Sequence, residues 1–147
     1  MKRFLLRTIL FLLPLALLLV GGEVVLRLQP NAAKEKDNAM RLTGNLIDTL
    51  ILGSSHAYYG LCPEIFGRNA YNAAQVSQTL KYDEFILNHY ALPRLRTVVL
   101  TMSDFSFYEE LEGTPTWYYA ARYRMYMGCD YHSLASAYAW EVAAFPV

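Results

Sequence analysis

Two cysteines, three histidines and no surplus of charge of either sign narrow what this 147-residue chain can do. Thirteen Lys and Arg against thirteen Asp and Glu leave no basic face of the kind a nucleic-acid backbone demands, so nucleic acid is not expected as a partner. Cys62 and Cys129 are too few for a disulfide framework, although an exported domain could pair them with each other. No cluster of cysteine and histidine has the spacing of a zinc site, and neither a metal nor an organic cofactor is expected. Imidazole chemistry, if there is any, falls to His56, His89 or His132. The chain carries no internal repeat and no low-complexity tract.

What it does have is hydrophobicity gathered at one end. Between Thr8 and Gly22 (TILFLLPLALLLVGG) no residue is charged, and the apolar pattern extends from Phe4 to Leu28 with interruptions at Arg7, Glu23 and Arg27. As a helix such a segment spans roughly 37 Å, enough to cross the ~30 Å hydrocarbon layer. Lys2, Arg3 and Arg7 precede it, so the amino terminus is expected in the cytoplasm and the rest of the chain outside. A cleaved signal peptide shares the basic start, but no clear Ala-x-Ala site follows, and Gly21-Gly22 is a weak substitute. An uncleaved single-pass anchor over residues 1–29 is therefore favoured. A buried soluble helix fits less well, because the apolar residues run all round. Pro14 would kink such a span without excluding it.

Residues 30–45 turn abruptly polar (PNAAKEKDNAMRLTG and Asn45), as expected of a linker or a membrane-proximal helix, leaving about 100 residues from 46 to 147 for one small domain. That domain is organised around Leu46 to Tyr59 (LIDTLILGSSHAYY). Residues 49–52 form a short apolar run closing on a glycine, the pattern of a strand buried in a parallel sheet. Gly53 permits a tight turn, and Ser54 and Ser55 would stand at the strand's carboxyl end, where open α/β sheets bind ligands. Ser55 is thus a candidate nucleophile. The alternative is that Gly-Ser-Ser merely ends a strand and caps the next helix.

Residues 68–74 could supply a second strand, Ser77 an N-cap for a helix to about Ala91, and residues 97–102 (TVVLTM) a third strand buried on both faces. Strand, helical segment, strand, helix, strand begins a right-handed α/β sandwich with a parallel sheet and flanking helices. Residues 103–113 read as a loop and a short helix. The aromatic stretch from Trp117 to Trp140 reads as two helical pieces broken at Gly128, more in keeping with core packing and snorkelling arginines than with a carbohydrate or nucleic-acid surface.

The order of these pieces, ILGSSHAYYG, then YNAAQVSQ, then VVLTMSDFSF behind a single amino-terminal span, resembles the membrane-anchored bacterial members of the SGNH/GDSL hydrolase superfamily over residues 50–107. The resemblance implies a flavodoxin-like sheet, and it makes Ser55 the nucleophile of Gly53-Ser54-Ser55, with Ser54 where the family has an acid. Asn72-Ala73-Ala74 matches the Asn-x-Gly block, so Asn72 and the N–H of Ala74 belong with Gly53 to the oxyanion and substrate-binding set. Met102-Ser103-Asp104-Phe105-Ser106 stands where the family has Gly-x-Asn-Asp. An Asp there would repel an oxyanion, so that role is not carried over. The family's Asp-x-x-His is matched, one residue short, by Asp130-Tyr131-His132, making His132 the candidate base and Asp130 the group that orients it.

A serine hydroxyl becomes a competent nucleophile when a histidine takes its proton and a carboxylate holds the histidine; two N–H groups then meet the charge on the tetrahedral oxygen. The expectation is a serine esterase or acyltransferase acting on an acylated envelope glycan or lipid. Three visible strands, where the family's sheet has about five, suggest a fragment with an incomplete active site. A non-catalytic anchored envelope protein is the competing expectation, and a transmembrane interaction protein whose exported part is incidental is a third.

Overall fold

The computed structural model describes residues 2–28, 31–108 and 110–129, in two compact units that divide after Asn31. The first unit is one helix, α1 (Lys2–Leu28). Its residues 6–25 are long and apolar enough to cross a membrane. Leucines favour the helix, and Leu10, Phe11, Leu15, Leu18 and Val20 leave it apolar and bare around its circumference. Such a surface suits hydrocarbon, where a helix satisfies its own backbone. Pro14 lies within it, and Thr8 donates its hydroxyl to the Phe4 carbonyl one turn back.

The second unit begins with α2 (Ala32–Thr43), in the stretch expected as a linker or a membrane-proximal helix. It is a packed amphipathic helix that buries Ala33, Asp37 and Met40, spaced four and three apart on one stripe. Its acid is partnered: Arg41 Nε donates to Asp37 at 2.8 Å and the Tyr90 hydroxyl donates to the same carboxylate at 2.7 Å. The folded unit therefore starts at Ala32 instead of near Asn45, because a charge-rich composition hid a periodic buried face.

Three strands follow: β1 (Thr49–Gly53), β2 (Ala70–Asn72) and β3 (Thr97–Thr101). They form a parallel sheet in the order β2-β1-β3, with Ile51 opposite both Asn72 and Val99. Between them lie α3 (Ser55–Gly60) and α4 (Leu80–His89), and α5 (Tyr118–Met127) comes after β3. The fold of this unit is α/β. Because side chains alternate along a strand, β1 feeds two cores. Leu50 and Leu52 pack with Met40, Tyr82, Ile86, Leu111, Ala120 and Tyr123, while Ile51 packs on the other side with Ala57 and Ala74.

Two expectations are corrected. β3 is not buried on both faces: it is the edge of the described sheet, and Val98 and Leu100, in register with Leu50 and Leu52, lie open at 43% and 39% exposure. The N-cap position of α4 is held by Thr79, not Ser77, and the helix ends at His89, short of Ala91. Ser77 adopts φ +59°, outside the extended conformation an N-cap requires, whereas Thr79 is extended and its carbonyl accepts the N–H groups of Tyr82 and Asp83. Helix α5 stops at Gly128, which takes the left-handed conformation of a helix C-cap. The second half of the aromatic stretch lies outside the described residues. Cys62 is exposed, its thiol donating to Glu64 at 2.6 Å, and Cys129 is buried.

Candidate functional site

Every residue of β1 is buried, and the strand ends at Gly53 with φ +119°. No side chain fits there. A Cβ would lie 2.2 Å from Thr101 Oγ1 and 2.7 Å from the Thr101 carbonyl oxygen, so β3 presses directly on the glycine. Both polar groups of Gly53 are held: its N–H donates to Asp83 Oδ1 at 3.0 Å and its carbonyl accepts the Gln75 N–H at 3.2 Å. Ser54 is extended and almost fully buried. Ser55 follows as the first residue of α3.

Ser55 is half-buried and lines a pocket of about 200 Å³ together with Ser77, Thr79, Phe105, Leu111, Thr114 and Thr116. That wall is made of hydroxyls, one phenyl ring and one isobutyl group, with no charged side chain. Thr79 holds the N-cap position of α4 without capping it, and its buried hydroxyl has no partner. Asp104 is exposed at the start of a 3-10 turn (Asp104–Phe107). The turn is fastened by Ser103 and Ser106, which exchange backbone and hydroxyl contacts, and it brings Phe105 to the pocket.

Asn72 and Ala74 lie beside α3, stitched to it. Asn72 Nδ2 donates to the carbonyls of Ala57 and Leu61, each at 2.9 Å, and Asn72 Oδ1 accepts the Ala74 N–H at 3.1 Å. The Ala74 carbonyl accepts from Lys36 Nζ. The N–H assigned to an oxyanion is thus already engaged, and meeting a substrate oxygen requires Asn72 to release or share it.

Asp130 and His132 lie outside the described residues. Of the other two histidines, His56 is exposed with Nδ1 3.4 Å from Ser54 Oγ, and His89 stacks on Phe85 with Nε2 3.4 Å from Arg41 Nη2. Among the described residues the Ser55 hydroxyl has no hydrogen-bond partner, and no group of three metal-ligating side chains occurs.

Sequence reasoning missed the polar groups behind the pocket. Asp83 is buried, and desolvation raises its carboxyl above the ordinary value against the opposing pull of hydrogen bonds from Gln78 and the Gly53 N–H. Gln78 Nε2 reaches Asp83 Oδ1 at 2.5 Å, and Gln78 Oε1 accepts the Tyr123 hydroxyl. Glu112 accepts from Lys81 at 2.6 Å and from the Tyr82 hydroxyl at 2.9 Å. Burial opposes its ionisation, but those bonds and the Lys81 charge prevail and hold its carboxyl below the ordinary value. Lys36 lines a separate cleft with Tyr58, Cys62, Glu64 and Asn72, and burial brings its amine down to about 7. One signal for Asp83 was present: it shares the helical stripe of Tyr82, Ile86 and Tyr90, so an acid in that register faces the core. No family model, no curated protein and no solved structure matches this chain.

Proposed function

We propose that the chain is a membrane-anchored serine esterase or acyltransferase of the SGNH type, acting on an acylated glycan or lipid of the cell envelope. One observation carries the reading: Ser55 borders a pocket just past the carboxyl end of β1. The order 2-1-3 changes direction there, between β1 and β3, and open α/β sheets bind ligands at such a switch point. The same order opens the 2-1-3-4-5 sequence of flavodoxin-like sheets.

In this reading Ser55 Oγ attacks the ester carbonyl carbon and its proton passes to His132, oriented by Asp130; His132 returns that proton to the leaving oxygen as the C–O bond breaks, so the alcohol departs and the acyl-enzyme forms. Water or a second alcohol then attacks the acyl-enzyme, and that choice alone separates hydrolysis from transfer. Gly53 sets the turn, and the Asn72–Ala74 segment lends an N–H to the oxyanion once Asn72 lets it go. In the same reading α1 crosses the membrane with the positive charges of Lys2, Arg3 and Arg7 on the cytoplasmic side, so that the α/β unit meets envelope substrates.

The test is labelling by a fluorophosphonate probe, which phosphonylates an activated serine. The native protein is expected to label and Ser55→Ala not to; equal labelling of the two removes Ser55 from the mechanism. The engaged Ala74 N–H favours a second reading, a non-catalytic envelope protein whose Gly-Ser-Ser only joins a strand to a helix. That reading expects no labelling of either protein.

A further inference from the structure

We propose that Asp83 is a positioning residue for the nucleophile turn, holding Gly53 directly and, through Gln78, tying the turn to Tyr123 on α5. The catalytic consequence rests on Ser55 being the nucleophile; the hold on Gly53 rests on its own geometry.

Strand β2 ends at Asn72, opposite Ile51, while Gly53 lies two residues further along β1. In a parallel ladder a residue's N–H and C=O point to the same neighbour, and on this side the chain has already left the sheet when it reaches Gly53. The carbonyl finds the Gln75 N–H, and Asp83 supplies the acceptor the N–H would otherwise lack. A buried amide without an acceptor is costly, so this bond fixes the orientation of the Leu52–Gly53 peptide, while the Gln75 N–H holds the carbonyl of the next one. Only Gly53 and the buried Ser54 separate the Leu52–Gly53 peptide from Ser55.

The rest of the chain of bonds fixes Asp83 in turn. Gln78 is 1% exposed, and its amide spans from Asp83 on one side to the Tyr123 hydroxyl on the other. A side-chain amide satisfied at both ends has one orientation. Ser77, the residue before it, adopts φ +59°, uncommon for a residue with a side chain and sustained where the surroundings demand it. This bend lets Ser77 and Thr79 line the pocket while Gln78 between them is buried. The 77–79 segment therefore serves as pocket wall and as anchor, and Asp83 locks that wall to the turn carrying Ser55. The acid needs no cation for this work: the partners of Asp83 are a backbone N–H and a neutral amide.

The experiment compares Asp83→Ala, which removes the acceptor, with Asp83→Asn, which keeps it, in the full chain held in detergent micelles. Gly53 amide hydrogen exchange is read by NMR, and Ser55 labelling by a fluorophosphonate is timed per folded molecule. Asp83→Ala is expected to speed Gly53 exchange about tenfold or more. It is also expected to slow labelling about 10- to 100-fold, the range for a small misplacement of a reacting group. Asp83→Asn is expected within about threefold of native in both, a rescue by the acceptor alone. A folded Asp83→Ala with native Gly53 exchange, or an Asp83→Asn as impaired as Asp83→Ala, overturns the proposal. Should Asp83→Ala fail to fold, Tyr123→Phe decides, with Gly53 exchange a few-fold faster expected and unchanged exchange overturning the relay. If the native protein does not label at Ser55, the hydrolase reading falls, and Gly53 exchange still confirms or overturns the hold by Asp83.

Discussion

Replacing Gly53 by alanine tests whether β3 and the Gly53-Ser54-Ser55 turn are as tightly joined as their geometry implies. Two penalties fall on the same atom. At φ +119° an L-residue is strained by ~1–3 kcal/mol. The new Cβ would also sit 2.2 Å from Thr101 Oγ1 and 2.7 Å from the Thr101 carbonyl oxygen, and overpacking of this kind typically costs ~1–3 kcal/mol. Together they come to about 2–6 kcal/mol, a large share of the ~5–15 kcal/mol by which a domain is stable. In a unit of this size the midpoint of thermal unfolding, followed by circular dichroism, should fall by about 10 °C or more. Two other glycines separate the penalties. Gly67 has φ +133° with open space around it, so Gly67→Ala carries the strain without the clash; Gly60 has neither, so Gly60→Ala should leave stability within ~0.5 kcal/mol. Adding Thr101→Ala to Gly53→Ala removes the hydroxyl but leaves the carbonyl, so recovery should be partial. A Gly53→Ala protein no less stable than Gly67→Ala would refute the close approach of the two strands.

Two further outcomes follow from the core and the buried acids. Leu50→Ala should cost ~2–5 kcal/mol in chemical denaturation, because the side chain is fully buried, whereas Leu100→Ala on the open face of β3 should cost under ~1 kcal/mol; equal costs would mean that β3 is not an edge. Glu112 has a carboxyl held below its ordinary value of 4.5, so its contribution to stability is present above that value and lost as pH falls through the lowered one. Lys81→Met should flatten that part of the stability–pH profile, and an unchanged profile would show that the pair with Lys81 is not its cause.

The features legible in the sequence were those that local pattern decides. Residues 49–52 read as a buried strand because an unbroken apolar run ending in glycine has few other homes, and β1 is that strand at the centre of a parallel sheet. The apolar amino-terminal helix and the break at Gly128 were equally local, the latter because a left-handed residue at a helix end favours glycine. Errors came where burial depends on a neighbour. TVVLT is as apolar as TLILG, yet among the described residues β1 has strands on both sides and β3 on one, so the same composition is buried in one and half open in the other. Residues 32–43 misled in the opposite sense. Their charges suggested solvent, while Ala33, Asp37 and Met40 mark a buried stripe whose acid is held in part by Tyr90, 53 residues beyond Asp37.

The candidate site divides along the same line. The place of Ser55 at a strand-to-helix turn was legible in the sequence because an apolar run closing on Gly-Ser-Ser sets that turn locally. What holds the turn was not, because a hydrogen bond between Gly53 and Asp83 joins residues 30 apart, and nothing in either neighbourhood names the other. Asp83 near the start of α4 reads locally as a helix-dipole acid, a role that says nothing of a partner 30 residues away. In the folded unit it faces inward, and the energetic cost of burying that carboxyl is sustained by the bonds it makes to Gly53 and Gln78. A surface acid could be replaced without consequence for the turn, whereas a buried one that supplies the last acceptor for β1 cannot. The position of Ser55 is therefore a property of three elements, β1, α4 and α5, and only the first of them carries the serine.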